Sequence, residues 1–118
     1  MRDFTKMTIW NEGMNLATDV YKATKQFPRE EEFGLKSQLR RAAVSIPSNI
    51  AEGCSRGSQK EFKHYLEISL GSAFEVETDI ILTHRLSMIS EKELSTLLEA
   101  LHIQQRRINA LIIKVKGF

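Results

Sequence analysis

One cysteine, two prolines and six glycines stand among 118 residues, and each scarcity narrows what the chain can be. A lone Cys54 closes no internal disulfide, and a metal site built on it would need ligands from elsewhere in the chain. Its ordinary use is that of a small buried residue. With Gly and Pro scarce, and with no stretch that sustains the period-two alternation of a half-buried strand, the expectation is all-helical. No apolar run approaches the roughly 20 residues of a transmembrane helix. The start, Met1-Arg2-Asp3-Phe4-Thr5-Lys6, lacks the apolar stretch of a secretory signal, so a cytoplasmic protein without a membrane span is expected. A formal net charge of +2 is too small to announce a nucleic-acid binder, and the distribution of charge has to decide. What is present is ordinary for a globular chain, 42% hydrophobic and 27% charged, and its length suits one domain spanning residues 1–118.

Ile9, Trp10, Met14, Ala17, Val20, Tyr21, Thr24 and Phe27 recur at helical spacing and predict a first helix over about residues 5–26. Pro28 disfavours helix at the residue before it, and Glu30, Glu31 and Glu32 sit just ahead of the next helix, where its N-terminal dipole favours them. The second helix, about 34–53, carries Leu35, Leu39, Ala42, Ala43, Ile46 and Ile50 and is expected to end near Gly53, which tolerates a left-handed conformation. Pro47 inside it removes the hydrogen bond to the Ala43 carbonyl and predicts a bend without a break. Ser58-x-x-Glu61 and Ser90-x-x-Glu93 have the form of capping boxes and open helices over about 58–87 and 91–115. Four such helices with short connections predict an antiparallel up-down-up-down bundle. The third has more apolar circumference than a surface helix needs, because Tyr65, Leu70, Phe74 and Ile81 lie outside its stripe of Phe62, Leu66, Ser69, Ala73, Val76 and Ile80. It is either the central helix or buried on a second side by another subunit.

In that topology the start of helix one, the loop between helices two and three, and the end of helix four share one end. Arg2, Lys6, Arg56, Lys60, Lys63, Lys114 and Lys116 collect there against Asp3, Glu52 and Glu61. Arg56, Lys60 and Lys63 are spaced to share a face at the start of helix three, whose free amides add to an anion or phosphate site. The competing use is plain solvation, with Lys114 and Lys116 complementing the C-terminal dipole of helix four. Helix two interleaves Arg40, Arg41, Ser45, Ser48, Asn49 and Glu52 with small apolar residues. Paired charges in a buried or interfacial network, with Glu75 and Glu77 as candidates to face the two arginines, compete there with an arginine left to grip a phosphate backbone.

Enzyme chemistry finds little support. Gly53 to Lys60 lacks the order of a phosphate loop, and a nucleoside-triphosphate fold also needs strands. His64 and His84 lie 20 positions apart on one helix and point in nearly opposite directions, so with His102 they make no shared metal site, and no paired Glu-x-x-His motif of a di-iron bundle exists. Nucleophilic catalysis by Cys54 would need a histidine beside it, with His64 the only near candidate. No catalytic residue, metal or cofactor is expected.

Phe27-Pro28, Glu32-Phe33-Gly34-Leu35 and the run from Gln38 through Arg40-Arg41-Ala42-Ala43-Val44-Ser45-Ile46-Pro47-Ser48-Asn49-Ile50-Ala51-Glu52-Gly53, continued by Ser58, Glu61, Phe62, Tyr65, Leu66, Gly71-Ser72 and Glu75 to Glu77, closely resemble the bacterial four-helix bundle proteins encoded in intervening sequences of large-subunit ribosomal RNA genes. The likeness covers about Trp10 to Leu86. It implies an up-down bundle, a homo-oligomer that is pentameric in relatives, and no catalytic activity. Pro47, Asn49, Glu52 and Gly53 are expected to be structural, and the extra apolar residues of helix three, Tyr65, Leu70, Phe74 and Ile81, to lie at an oligomer interface. The family also includes the accessory protein of diversity-generating retroelements, which works with a reverse transcriptase and nucleic acid. The expected function is therefore a non-enzymatic oligomer binding RNA or DNA backbones through Arg40, Arg41, Arg56, Lys60, Lys63, Arg106 and Arg107, and the alternative is a scaffold docking a partner protein.

Overall fold

The computed structural model describes residues 2–115; Lys116, placed above at the basic end, lies outside them. Four helices make up the fold, α1 (Thr8–Thr24), α2 (Leu35–Cys54), α3 (Gln59–Arg85) and α4 (Glu91–Lys114), and the described residues include no strand. Each of α1 and α3 packs on both α2 and α4, while the diagonal pairs do not meet. The extents are 46 × 24 × 21 Å, and the 27 residues of α3 alone span about 40 Å at 1.5 Å per residue, so the long helices share the long axis. Short connections then send each helix back along its predecessor, which gives the antiparallel four-helix bundle.

The helix ends follow local chemistry. Asp3 accepts from the Thr5 amide at 3.1 Å and caps a 3-10 turn at Phe4–Lys6. Met7 is extended after it, so α1 starts at Thr8 and not at residue 5 as periodicity suggested. Glu31 accepts from the Leu35 amide at 3.0 Å, so one of the acids ahead of α2 serves its free N-H groups directly. Ser90 and Glu93 form the full reciprocal capping box. At Ser58 only half of it forms: the Ser58 hydroxyl accepts from the Glu61 amide at 3.1 Å, but the Glu61 carboxylate bonds that hydroxyl and not the Ser58 amide. Ser87 adopts φ 61°, the left-handed step that turns α3 into α4.

The predicted stripe of α3 is buried throughout and shares one core with Leu16, Val20, Ile46, Ile50, Leu101 and Ile108. α2 continues unbroken through Pro47, which is itself buried. Gly13 makes room for it, since a Cβ at Gly13 would stand 3.3 Å from two Pro47 ring atoms. The end of α2 at Cys54 falls next to Gly53 as expected, but the role of Gly53 is different. It lies inside α2, and its lack of a side chain serves close packing: a Cβ there would come within 3.0 Å of the Tyr65 Cβ and 3.3 Å of the Phe62 carbonyl. The N-terminal residues cross the same end of the bundle, where the Arg2 amide donates to the Cys54 carbonyl at 3.3 Å and its guanidinium lies 3.8 Å above the Phe62 ring. The start of the chain and the α2 to α3 loop thus share one end.

Candidate nucleic-acid interface

The seven basic residues singled out in the sequence do not form one surface. Arg40 is turned onto α1, where Nε donates to the Thr24 hydroxyl at 2.7 Å, a terminal nitrogen donates to the Tyr21 carbonyl at 3.0 Å, and the guanidinium lies 4.3 Å from the Tyr21 ring centre. Arg56 pairs with Glu52 at 2.6 Å and donates to the Tyr65 hydroxyl at 2.8 Å, which ties the α2 to α3 loop to both helices. Arg107 pairs with Glu12 of α1. Arg41, Lys60 and Arg106 are exposed, and Lys63 is half-buried one turn after Lys60 on α3. Arg41 on α2 and Arg106 on α4 belong to helices on opposite corners of the bundle. Arg2, counted at the same basic end, bonds Gln59.

The polar residues of α2 and α3 find partners different from those expected. Glu77 does not face Arg40 or Arg41; it accepts from Gln105 of α4 at 2.8 Å and meets His102 at 3.2 Å, which together hold its carboxyl below the usual range. Ser45 and Ser72 share a hydrogen bond of 2.8 Å across α2 and α3, and Asn49 donates to the Ser45 carbonyl and hydroxyl at 2.8 and 2.9 Å. Asn49 therefore stiffens the turn of α2 that holds Pro47. Two buried polar residues gave no warning in the sequence. Asp79 accepts from Gln38 at 3.0 Å, and Gln104 donates to the Ile9 carbonyl at 2.9 Å in the middle of the core.

A groove runs along the outer seam of α1 and α2. One part is lined by Trp10, Met14, Ala17, Thr18, Tyr21, Val44, Pro47, Ser48 and Ala51. It passes through Tyr21, Val44 and Ser48 into a second part lined by Glu32, Phe33, Lys36, Ser37, Arg40, Arg41 and Ser45. Phe33 is 96% exposed at the mouth of that second part. The signal in the sequence was a large apolar residue within a connection, beside Gly34, where nothing in the helical periodicity requires one. The other apolar surface is the outward side of α3. Phe74 is 54% exposed, with Ile68 and Leu82 also exposed, Leu70 and Ile81 half-buried, and open space around Gly71. Of the four residues assigned to an oligomer interface, Tyr65 is half-buried and held by Arg56.

The histidines and Cys54, weighed above for catalysis or metal binding, are held in separate contacts. The described residues contain no group of three or more His, Cys, Asp and Glu that could hold a metal ion. His84 pairs with Glu91 at 2.8 Å, His102 with Glu77, and His64 packs edge-on to Tyr65. Cys54 is buried, its thiol donates to the Met7 sulfur at 3.4 Å, and burial pushes its pKa up, the opposite of what an attacking thiolate needs. No described helix is long and apolar enough to cross a membrane.

A model of the 23S rRNA-intervening sequence protein family matches residues 5–110. The chain belongs to that family. A solved structure from Bacteroides thetaiotaomicron, described as a protein with unknown function from the S23 ribosomal protein family, is similar in fold. It has a TM-score of 0.80 and 22% identity over 89% of this chain and 98% of that one. No curated protein matches the chain. The family match includes both surfaces just described, the α1 and α2 groove with Phe33 and the outward side of α3, and stops within α4, past Arg106 and Arg107.

Proposed function

We propose that this intervening-sequence protein is a non-enzymatic, cytoplasmic homo-oligomer that binds RNA or DNA backbones without reading bases. The observation that carries the proposal is the set of exposed cations Arg41, Lys60 and Arg106, left at the surface while Arg40, Arg56 and Arg107 are consumed in holding helices together. Backbone binding requires positive charge at phosphate spacing and no converging pocket, so cations dispersed over a surface suit it. Assembly supplies the density that one copy lacks, since each added copy repeats the same cations. The exposed apolar residues of α3 support that assembly, because Phe74, Ile68 and Leu82 present surface that water penalises.

The test is a filter-binding titration with structured RNA at low salt. Affinity is expected to fall steeply as salt rises, and Lys60→Glu with Lys63→Glu is expected to weaken binding about tenfold or more and flatten the salt slope. Absence of binding, or binding indifferent to both the salt and the charge reversals, would sink the proposal. A second function is favoured by the same α3 face: a scaffold whose outward apolar side docks a different protein, such as a reverse transcriptase. A pull-down from the native host that recovers one stoichiometric partner through Phe74, with no nucleic acid bound, favours that alternative.

A further inference from the structure

We infer that the α1 and α2 groove is the place where an unpaired stretch of nucleic acid lies, with Phe33 and Tyr21 stacking on bases and Arg41 and Lys36 meeting phosphates. The inference rests on the nucleic-acid reading above and gives it a location and a strand form. Three kinds of group meet there. Phe33 is nearly bare, and Tyr21 is exposed in the wall shared by both parts of the groove. The basic side chains are Lys36, Arg40 and Arg41 against the single acid Glu32, so the lining is complementary to an anion. Ser37, Ser45 and Ser48 add hydroxyls that can donate to phosphate or sugar oxygens.

The combination selects a single strand. A duplex hides its base faces and offers an aromatic side chain nothing to stack on, whereas an unpaired base presents a π-face to any aromatic ring beside a cationic track. Arg40 is spent on Thr24 and Tyr21, and its place against the Tyr21 ring fixes that aromatic in the wall. Lys36 is half-buried and paired at 3.0 Å with the more exposed Glu32, so its charge stands in the groove wall near Arg41. Arg41 is exposed and forms no ion pair among the described residues. The apolar continuation past Val44 leads to Trp10, the chain's one tryptophan, which lies about 16 Å up α1 from Tyr21 at helical rise and so lines the far part of the groove.

Trp10 therefore reports occupancy. A titration with an unstructured oligothymidylate of roughly ten nucleotides, within the usual footprint of single-strand sites, is expected to quench Trp10 fluorescence. Free thymidine monophosphate at the same nucleotide concentration is expected to leave it unchanged. Phe33→Ala is expected to weaken the oligonucleotide about tenfold, as loss of one stacked base implies, and Arg41→Glu to weaken it at least as much and flatten the salt slope. Phe33 and Arg41 are both exposed, so neither change threatens the fold, and circular dichroism checks this. If Phe33→Ala binds like the parent, the groove assignment is overturned. When Lys60→Glu and Lys63→Glu still weaken that binding, the broader nucleic-acid reading survives it; when the parent binds no oligonucleotide and no RNA, both fall together. A Phe33→Ala variant that changes the mass in light scattering and leaves oligonucleotide affinity alone would make the groove a contact between copies and overturn the inference as well.

Discussion

Asp79 and Glu77 lie close together on α3, and their surroundings push them in opposite directions. Burial raises the Asp79 pKa above its ordinary 3.8, the nearby Glu75 charge adds to the rise, and the Gln38 hydrogen bond opposes it. One carboxylate oxygen of Asp79 has no partner among the described residues. The charged form is thus favoured in the unfolded chain, and the stability this group contributes is present below 3.8 and lost as pH rises through the higher folded value. Glu77 has the reverse sign. The Gln105 hydrogen bond lowers it from 4.5 against a smaller opposing effect of burial, and His102 lowers it further, so its contribution is present above 4.5 and lost as pH falls through the folded value. Asp79→Asn keeps an acceptor for Gln38 and removes the buried charge. Its urea midpoint is expected to exceed that of the parent at neutral pH, with the gap closing in acid; equal midpoints at neutral pH would contradict the sign. Gly53→Ala tests packing at the same scale. A Cβ forced to 3.0 Å from Tyr65 and 3.3 Å from the Phe62 backbone is expected to cost about 1 to 2 kcal/mol in denaturant unfolding, after allowance for the better helix propensity of alanine. The sequence offered Gly53 as a helix terminator, because a glycine near a helix end carries the same letter whether it supplies a left-handed turn or room for a neighbouring helix.

At the scale of elements, the four helices were legible because burial imposes a 3.6-residue rhythm on Ile, Leu and Val, and each predicted stripe is local in sequence. The start of α1 was not, since Asp3 and Met7 set it through a 3-10 turn whose residues fit the same rhythm. Nor were the partners of the charged residues. A long side chain chooses among helices that come together only in the fold, and so Arg40 finds Thr24, Arg107 finds Glu12 and Glu77 finds Gln105. The groove with Phe33 was invisible for a related reason: it is made by two helices and one connection, and no single segment encodes it. Gly71 isolates the propensity of α3 from its packing. It sits within the helix with nothing near the position a Cβ would take, so Gly71→Ala is expected to stabilise the dilute protein by about 0.5 to 1 kcal/mol. A lower urea midpoint would mean that the outward face of α3 is not open at that position.

For the whole molecule, the proposed assembly and the proposed binding are coupled by geometry. The cations left over after the fold is built stand at separate corners, so one copy can offer a phosphate backbone only scattered contacts, each weak in water. A ring or cluster of copies changes this without any new residue, because a strand held by one copy meets the next at high effective concentration. Phe74→Glu separates the two terms. The residue is 54% exposed in the single chain and is not one of the buried core residues, so the helical spectrum and unfolding of each chain are expected to stay near those of the parent. Light scattering is expected to fall to the 13.5 kDa of one chain. Affinity for a long structured RNA is then expected to drop by about a hundredfold or more, while affinity for a short oligonucleotide filling one site changes little. If the parent itself scatters as 13.5 kDa, the outward face of α3 is not used for self-association. If Phe74→Glu is monomeric yet binds long RNA as tightly as the parent, avidity contributes nothing and the cations of a single copy must suffice.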